Sequence, residues 1–568
     1  MSNPKNPLGK YFLTDQARNK RSNFNAGYKN RFSLDYGYLI PAGLWDIPSN
    51  SHFELDMQAV LSSNPTLAPV LGTMKFRAEA YYIEKAAYVD LLRNNEQVPL
   101  DRNVPWPTFD TNQLLESNTP FFSPQSGIFE FLQMFPAGWS VNMFGGDAQT
   151  DSIPPLNAIP LIMYYDIYRN YYCNPQDDNI PIRVKSYSDR SNVTDRFVTR
   201  ADLAEFVRNC RLNPAQVANN FQRLMDDNLP YLYSPETSKS WPKAIDHEIF
   251  RHYGLMRRTL NNDFFTSFMS NENVELMSTY SSNISVDGGQ FNIMQIVQAN
   301  RDWRFATRSL LWGTDWKDYN KIHYGVDLRI PYGKPQFLGA LVNNVSFQDV
   351  ISQTQAGSQG APATNNTNLG SRAGLAYGAL KNHKGKFVEF NSRDECYVMV
   401  LISLVPDVDY YQGIDPMYFK TNLAHSWAVE YNSLGMQDFH RGWASVILSE
   451  QDEGSPQSWP SYNDSLWKVP IWFEYMAKYN QLHGQFTQDF QNRYWTFARP
   501  FTALQDLFQD QFESSDGDDY YNNLSTYVLP EMYNYIFANI LGEDNFQIQV
   551  RFDARLNNML DKNVIAYL

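Results

Sequence analysis

The chain has 568 residues, of which 43% are hydrophobic and 19% charged, so it can form a large core and is not an intrinsically disordered protein. Its formal net charge of −14 argues against general nucleic-acid binding, and three dispersed cysteines exclude a disulfide framework or a cysteine zinc site. The sequence shows no N-terminal signal segment and no run of 18 apolar residues, which predicts a cytoplasmic chain with no membrane span.

The first predicted element is a basic N-terminal arm, residues 1–31. Its seven basic residues and one acidic residue give a charge of +6, which leaves −20 for the rest of the chain. This layout suits an arm that binds a polyanion, an arm that tethers a neighbouring subunit, or a solvated tail. The candidate DNA contacts are Lys5, Lys10, Arg18, Lys20, Arg21, Lys29 and Arg31. The candidates for stacking on unpaired bases are Tyr11, Phe12 and Phe24.

Three segments have the pattern of β-strands. Residues 74–82 and 546–554 alternate hydrophobic and polar side chains, which predicts strands with one buried face. Residues 396–405 are continuously apolar and end at Pro406, which predicts a central strand covered on both sides.

The middle of the chain has a different pattern, with helical spacing of apolar residues after Thr199 and again after Asn213. We predict a helical insertion over residues 190–255. Residues 353–374 are polar and of low complexity, which predicts a flexible surface or inter-strand loop. Strands at both ends with insertions between them indicate a mainly β protein, a sandwich whose loops have grown into subdomains.

Catalytic patterns are absent from the sequence. His247 and His252 stand five residues apart and diverge by about 140° around a regular helix, so they cannot chelate one ion from it. An acidic stretch lacks the closing glutamate of a calcium loop and is interpreted as a solvated turn; it contains Glu513, Asp516, Asp518 and Asp519. The sequence therefore predicts no catalytic residue, no metal and no cofactor, and it favours assembly over enzymatic activity.

Five segments carry a resemblance to a known family: residues 36–83, 156–175, 255–267, 405–419 and 472–499. The most specific is LNAIPLIMYYDIYRNYYCNP (156–175), an Asn-Ala-x-Pro turn followed by a Tyr-rich helix that ends in Asn-x-Tyr-Tyr. Its matching positions are Asn157, Ala158, Pro160, Tyr164, Tyr168, Asn170, Tyr171 and Tyr172. In content and order the segments resemble the major capsid proteins of the Microviridae, in particular the gokushovirus-like branch.

The resemblance implies an eight-stranded antiparallel jelly-roll β-sandwich over residues 32–568, with large loop and helical insertions. It also implies an icosahedral shell of about sixty copies around a circular single-stranded DNA genome. Such a virion capsid protein is assembled in the host cytoplasm, and its expected partners are a scaffold or pilot protein and a host surface receptor, with no membrane. The family's long insertion after the Asp-aromatic-Phe-Thr motif is short here (268–289), so no receptor contact is assigned to particular residues.

Charge balance predicts a further partner. Sixty arms supply about 360 positive charges, about a fifth of the roughly 1,700 phosphates in the DNA that encodes this chain. A second cationic component is therefore expected inside the shell: a small basic DNA-packaging protein, polyamines or divalent ions. The alternative function is a carbohydrate-binding or carbohydrate-cleaving β-sandwich protein, which the abundant Tyr, Trp and Asn residues suggest; it predicts a monomer with a cleft.

Overall fold

The computed structural model of the chain describes most of the β-structure and part of the insertions. The described residues are 21–94, 103–110, 127–134, 155–177, 180–183, 195–226, 252–268, 297–298, 300–302, 304–305, 308, 316–326, 333–350, 373–381, 387–431, 435–444, 465–487, 493–499, 501, 526–538 and 544–560. No helix among these residues is long and apolar enough to cross a bilayer.

The described strands, in chain order, are β1 (Ser22–Asn25), β2 (Tyr28–Leu34), β3 (Ile40–Ile47), β4 (His52–Ser63), β5 (Thr73–Glu84), β6 (Thr108–Phe109), β7 (Leu156–Asn157), β8 (Ile180–Arg183), β9 (Asp195–Val198), β10 (Gln336–Val350), β11 (Ala373–Lys381), β12 (Val388–Asn391), β13 (Cys396–Pro406), β14 (Met436–His440), β15 (Ser465–Pro470) and β16 (Phe546–Asn558). The described α-helices are α1 (Asp90–Arg93), α2 (Ile128–Phe131), α3 (Ile159–Tyr171), α4 (Arg200–Leu212), α5 (Val217–Asp226), α6 (Trp316–Tyr324), α7 (Arg441–Ala444) and α8 (Phe473–Met476).

One antiparallel sheet holds ten of these strands in the order β1-β16-β4-β11-β10-β5-β13-β3, with β2 paired to β16 and β12 paired to β4. The sheet folds over at β10 and β11, so that its two halves face each other. Across the interior the Trp45 ring of β3 lies 5.0 Å from Phe552 of β16 and 5.7 Å from Phe53 of β4. The architecture is therefore rich in antiparallel β-structure and sandwich-like, which agrees with the mainly β prediction.

The strands predicted from sequence periodicity are present. Residues 74–82 lie in β5 and residues 546–554 lie in β16, whose alternate side chains are buried and exposed. The apolar segment 396–405 lies in β13, which pairs with β3 and β5 and is buried at every position. The expectation of a central strand covered on both sides is confirmed, because the second cover comes from the layer around α3.

Helix α3 belongs to the Tyr-rich segment 156–175 and packs outside the β5–β13 half of the sheet. Its buried tyrosines use their hydroxyls to reach backbone carbonyls of neighbouring segments. These hydrogen bonds run from Tyr164 to Leu39 (2.9 Å), from Tyr165 to Gly254 (2.7 Å) and from Tyr168 to Arg257 (2.7 Å). A phenol combines a large apolar body with one polar group, so the row of tyrosines fills the interface and satisfies buried backbone groups.

The predicted insertion 190–255 contains two helices among its described residues, preceded by the short strand β9. Thr199 caps α4 through a reciprocal hydrogen-bonded box with Asp202, which explains why the helix begins there. The helices α4 and α5 pack on α3 through Phe206 and Phe221, whose rings lie 5.4 Å and 6.1 Å from that of Tyr165. Residues 227–250, like most of the predicted loop 353–374, lie outside the described residues; Ala373 already begins β11.

The described part of the predicted N-terminal arm belongs to the sheet. Strands β1 and β2 pair with opposite ends of β16, and β2 also reaches across to β3. The Asn30 amide donates to the Ala42 carbonyl at 2.8 Å, and the Tyr28 hydroxyl accepts from the Leu44 amide at 3.2 Å. Residues 22–31 therefore close the edge of the sandwich and do not extend from it as a separate arm.

Candidate nucleic-acid interface and assembly surface

The predicted DNA contacts divide into two groups. Those outside the described residues are Lys5, Lys10, Arg18, Lys20, Tyr11 and Phe12. Among the rest, the Arg21 guanidinium donates to the Asn50 side-chain oxygen at 2.7 Å at the start of β1. Lys29 and Arg31 lie on β2, where both are exposed.

The strand geometry of β2 places Lys29 and Arg31 on the outer face of the sheet. Their neighbours Tyr28, Phe32 and Leu34 share the opposite face with the apolar residues of β16. Lys29 stands directly opposite Arg551, and Arg31 stands opposite Gln549, to whose side chain it donates at 2.8 Å. The pairing register of β2 and β16 thus places Arg551 beside Lys29 and Arg31, which were predicted as DNA contacts from the N-terminal sequence alone.

We call Lys29, Arg31, Arg551 and Arg555 the basic strip. Arg555 lies on the same face of β16 as Arg551, opposite Asn25 of β1. Like charges directly opposite each other in a sheet are destabilising by roughly 0.2–1 kcal/mol, so the Lys29–Arg551 pair does not contribute to folding. An anion beside the strip would reduce that repulsion, so Lys29 and Arg551 are candidate polyanion contacts.

The same outer face carries acidic pairs beside the basic strip and within it. Asp553 of β16 stands opposite Asp56 of β4, and Glu54 of β4 stands opposite Glu389 of β12. The Arg551 guanidinium lies 3.2 Å from the Asp553 carboxylate and so joins the two regions. Asp553 therefore interrupts the strip between Arg551 and Arg555, and an extended polyanion would follow Lys29, Arg31 and Arg551 at the β2 edge and not the whole face.

Phe24, the remaining stacking candidate, lies on the other side of its strand. It pairs with Leu556, which packs against the core, and its ring is half-buried. The exposed positions of β1 are those of Asn23 and Asn25. The ring is thus not displayed beside the basic side chains, and the structure gives no support to a stacking role for it.

A second feature is a group of exposed large hydrophobic side chains, which we call the apolar surface. It consists of Met417, Tyr418, Leu423, Trp427, Val429, Tyr431, Tyr475 and Met476, with exposed fractions from 48% to 90%. Isolated apolar residues are normal on a protein surface, whereas a contiguous patch of several hundred Å² marks an interaction site. Sequence reasoning missed this feature because aromatic residues are abundant throughout the chain.

The apolar surface comes from two segments, residues 417–431 and 475–476, which a hydrogen bond, an ion pair and a cation–π contact join. The Trp472 indole donates to the Tyr431 carbonyl at 3.1 Å, and the Lys420 ammonium lies 3.7 Å above the Tyr475 ring while it pairs with Glu474 at 2.8 Å. Hydrogen bonding to Lys420 lowers the pKa of Tyr475. Trp472 has a φ of 64°, a left-handed conformation that is rare for a bulky residue and that clusters at functional sites.

A third group of charged residues is buried on the outer face of β5. The Arg258 guanidinium donates to both carboxylate oxygens of Glu79 at 2.9 Å, and it also donates to Ser403 at 3.2 Å. The Tyr172 hydroxyl donates to the same carboxylate and accepts from Tyr81 at 3.0 Å. Burial alone would raise the pKa of Glu79, but Arg258 holds it below its ordinary value. The carboxylate is thus an ionised, fully partnered group without access to a substrate.

One cavity lies where α3 ends, with a volume of about 330 Å³. Its lining consists of Tyr171, Tyr172, Cys173, Asn174, Pro175, Thr259, Leu260, Asn262, Thr266, Ser267, Phe268 and Thr526. None of these described residues is a carboxylate, whereas glycoside cleavage generally needs two carboxyl groups flanking the bond. The cavity does not favour the carbohydrate-cleaving alternative.

Comparisons with protein-family models and with curated proteins found no relative of this chain. No protein-family model matches it, and no curated protein matches it. The functional argument therefore depends on the geometry of the two surfaces and on the resemblance of the five sequence segments.

Proposed function

We propose that the chain is the major capsid protein of a small icosahedral phage, a jelly-roll subunit that assembles with copies of itself into a shell around single-stranded DNA. The sandwich-like antiparallel sheet and its large insertions are compatible with such a subunit. The proposal that the assembly is a Microviridae-like capsid depends on the five collinear segments that resemble capsid proteins of that family. The proposed role is structural and needs no catalytic residue.

The observation that carries the proposal is the apolar surface. Its eight large hydrophobic side chains are 48–90% exposed, and aromatic residues and methionine are the types enriched in protein–protein interfaces. These side chains come from two segments that the Trp472–Tyr431 hydrogen bond and the Lys420–Glu474 ion pair join, and the single chain leaves them in contact with solvent. A subunit that is covered by its neighbours in a closed shell accounts for it, because symmetric assembly reuses the same surface in every copy.

The basic strip supports the nucleic-acid part of the proposal. It lies on the opposite side of β2 from the core, so bound DNA would not disturb the packing of the sandwich. Four side chains per copy supply few charges compared with a genome, which is why a small basic packaging protein, polyamines or divalent ions remain part of the proposal. A scaffold or pilot protein and a host receptor are proposed on the resemblance alone.

Assembly is tested by changing the apolar surface. Leu423→Ser removes its most exposed side chain, at 90% exposure, and is expected to prevent or weaken assembly into particles seen by negative-stain microscopy and sedimentation. Leu71→Ser is the matched control, because Leu71 is 66% exposed and lies outside the apolar surface. Uniform particles that hold nuclease-protected DNA support the shell. A chain that remains monomeric with its neighbouring gene products present contradicts it.

A further inference from the structure

Three distant parts of the chain bring potential metal ligands together at one end of the sandwich. Asp35 follows β2, His252 lies near the end of the predicted insertion 190–255, and Asp544 precedes β16. One ligand atom from each lies within 4.8 Å of the other two. The Nε2 atom of His252 is hydrogen-bonded to Oδ1 of Asp544 at 2.8 Å. Adjacent ligands at about 2.1 Å from one ion lie about 3.0 Å apart in an octahedron and about 3.4 Å apart in a tetrahedron, so an ion would need the two atoms to move slightly apart.

The carboxylates of this group are buried. Asp35 is 7% exposed and Asp544 is 5% exposed, and a buried charge is costly unless a partner compensates it. The His252 imidazole contacts Asp544, and the Asn545 backbone amide donates to Oδ1 of Asp35 at 3.0 Å. Arg257 packs on the Tyr38 ring of the same region, 5.5 Å from its centroid, and contributes a positive charge beside that ring.

Two asparagine side chains next to these three residues have a side-chain oxygen that accepts no hydrogen bond. Asn545 is fully buried and Asn534 is 9% exposed, and both turn their Nδ2 atoms towards Asp35, at 3.4 Å and 3.2 Å. The Oδ1 atom of each is buried and makes no hydrogen bond. A 180° rotation of an asparagine side-chain amide exchanges its Oδ1 and Nδ2 atoms. A cation beside Asp35 would favour the rotamer in which Oδ1, and not Nδ2, faces Asp35, His252 and Asp544.

Surrounding residues already orient the ligands. The Tyr38 ring stacks on His252 with a centroid distance of 4.2 Å and an interplanar angle of 13°, and the Ser33 hydroxyl donates to the second oxygen of Asp544. Metal sites characteristically fix their ligands through such neighbours. The His252 side chain is 14% exposed, which gives an ion a route from solvent.

We propose that Asp35, His252 and Asp544 bind one divalent transition-metal ion, Mn²⁺ or Zn²⁺, with the Asn545 amide oxygen as a further ligand. Two carboxylates, an imidazole and an amide oxygen form the mixed nitrogen and oxygen set that these ions accept, whereas Ca²⁺ takes only oxygen. The ion would join β2, the end of the predicted insertion 190–255 and β16. This inference does not depend on the shell function.

The test is equilibrium dialysis of the chelator-treated full-length chain against Mn²⁺ or Zn²⁺, followed by measurement of bound metal. One ion per chain is expected, and Asp544→Asn or Asp35→Asn is expected to weaken binding at least tenfold. The matched control is Glu54→Gln in the group His52, Glu54 and Glu389, which also brings three ligand atoms together but is more exposed. Binding that is absent from the wild-type chain, or that is lost in the control and kept in Asp544→Asn, overturns the proposal.

A second measurement does not require a change in the buried group to fold. Imidazole ligation of Mn²⁺ produces a nitrogen coupling in pulsed electron paramagnetic resonance. This coupling is expected to remain in His52→Gln, a change at a partly exposed position. Its loss in that variant would assign the ion to the exposed group and overturn the proposal, and its retention supports ligation by His252.

Discussion

The two halves of the sandwich differ most on their outer faces. On β16 and β4 the outer face meets solvent and carries rows of charge, among them Lys29 opposite Arg551 and Asp553 opposite Asp56. On β5 and β13 the outer face lies beneath α3 and residues 254–261, and its principal charges are the bidentate pair of Arg258 and Glu79.

The difference follows from the dielectric environment. Exposed charges interact through water, so like charges opposite each other cost little and can be kept for a partner. A charge beneath a helix has lost its hydration and must be paired and hydrogen-bonded. Charged side chains on the covered face are therefore paired with each other within the fold. Charged side chains on the exposed face remain available to bind a partner.

The largest expected effect is at the buried ion pair. Arg258→Met leaves the Glu79 carboxylate buried without its cation, and we expect a loss of about 3–5 kcal/mol in stability, measured as a lower urea midpoint at pH 7. The comparison variant is Arg555→Met on the exposed face, where Arg555 stands opposite Glu54 and a change of at most about 1 kcal/mol is expected. Equal losses in the two variants would contradict the distinction between the faces.

A smaller effect is expected at the tyrosine row that covers β3. The Tyr164 hydroxyl donates to the Leu39 carbonyl and accepts from the Met256 amide, both at 2.9 Å. Tyr164→Phe leaves two buried backbone groups without partners, which is expected to cost about 1–3 kcal/mol in thermal or urea unfolding. Tyr418→Phe, at a side chain 70% exposed on the apolar surface, is expected to change stability by less than about 0.5 kcal/mol.

The third prediction concerns recognition by the exposed face. Replacing Lys29, Arg31 and Arg551 with glutamine is expected to weaken binding to single-stranded DNA and to reduce the slope of log affinity against log salt by about 2, because each lost contact removes about 0.7. Unfolding midpoints are expected to stay near wild type. The single changes Lys29→Gln and Lys478→Gln provide a matched pair, since Lys478 is 68% exposed and lies outside the basic strip. A salt slope unaffected by the triple change would exclude these residues from DNA contact.

Much of the fold follows from sequence periodicity, because a strand with one wet face imposes a two-residue repeat. Strands β5 and β16 were predicted from that repeat and are present, whereas β13 was predicted from its continuous apolar run, and it is buried at every position. The same repeat was available in β2, where Tyr28, Phe32 and Leu34 alternate with Lys29, Arg31 and Ser33. The excess of positive charge led to the interpretation of this segment as an arm, although charged side chains are ordinary on the wet face of an edge strand.

The composition of the candidate sites could not be predicted in the same way. Arg551 joins Lys29 only through the register of two strands more than 500 residues apart in the sequence. Asp35, His252 and Asp544 meet only after β2, the insertion and β16 have packed together. Local patterns define elements, whereas sites formed from distant segments depend on pairing that no local pattern encodes.

A pH-dependent effect is expected at the margin of the covered face, where β13 ends and the carboxylate of Asp407 bonds Lys75 at 3.2 Å. Burial, with a contribution from Asp407, raises the pKa of the neighbouring Asp409 to about 6. The folded state therefore holds the Asp409 proton more tightly than the unfolded state does. The stability that this provides is complete below about pH 4, the ordinary range of a carboxyl group, and is lost as the pH rises through 6.

Asp409→Asn removes this dependence, so the difference in urea midpoint between variant and wild type is expected to be small at pH 4 and to grow in favour of the variant up to pH 7. A difference that stays constant over this range would show that Asp409 does not titrate with a raised pKa, and it would place this margin with the exposed face.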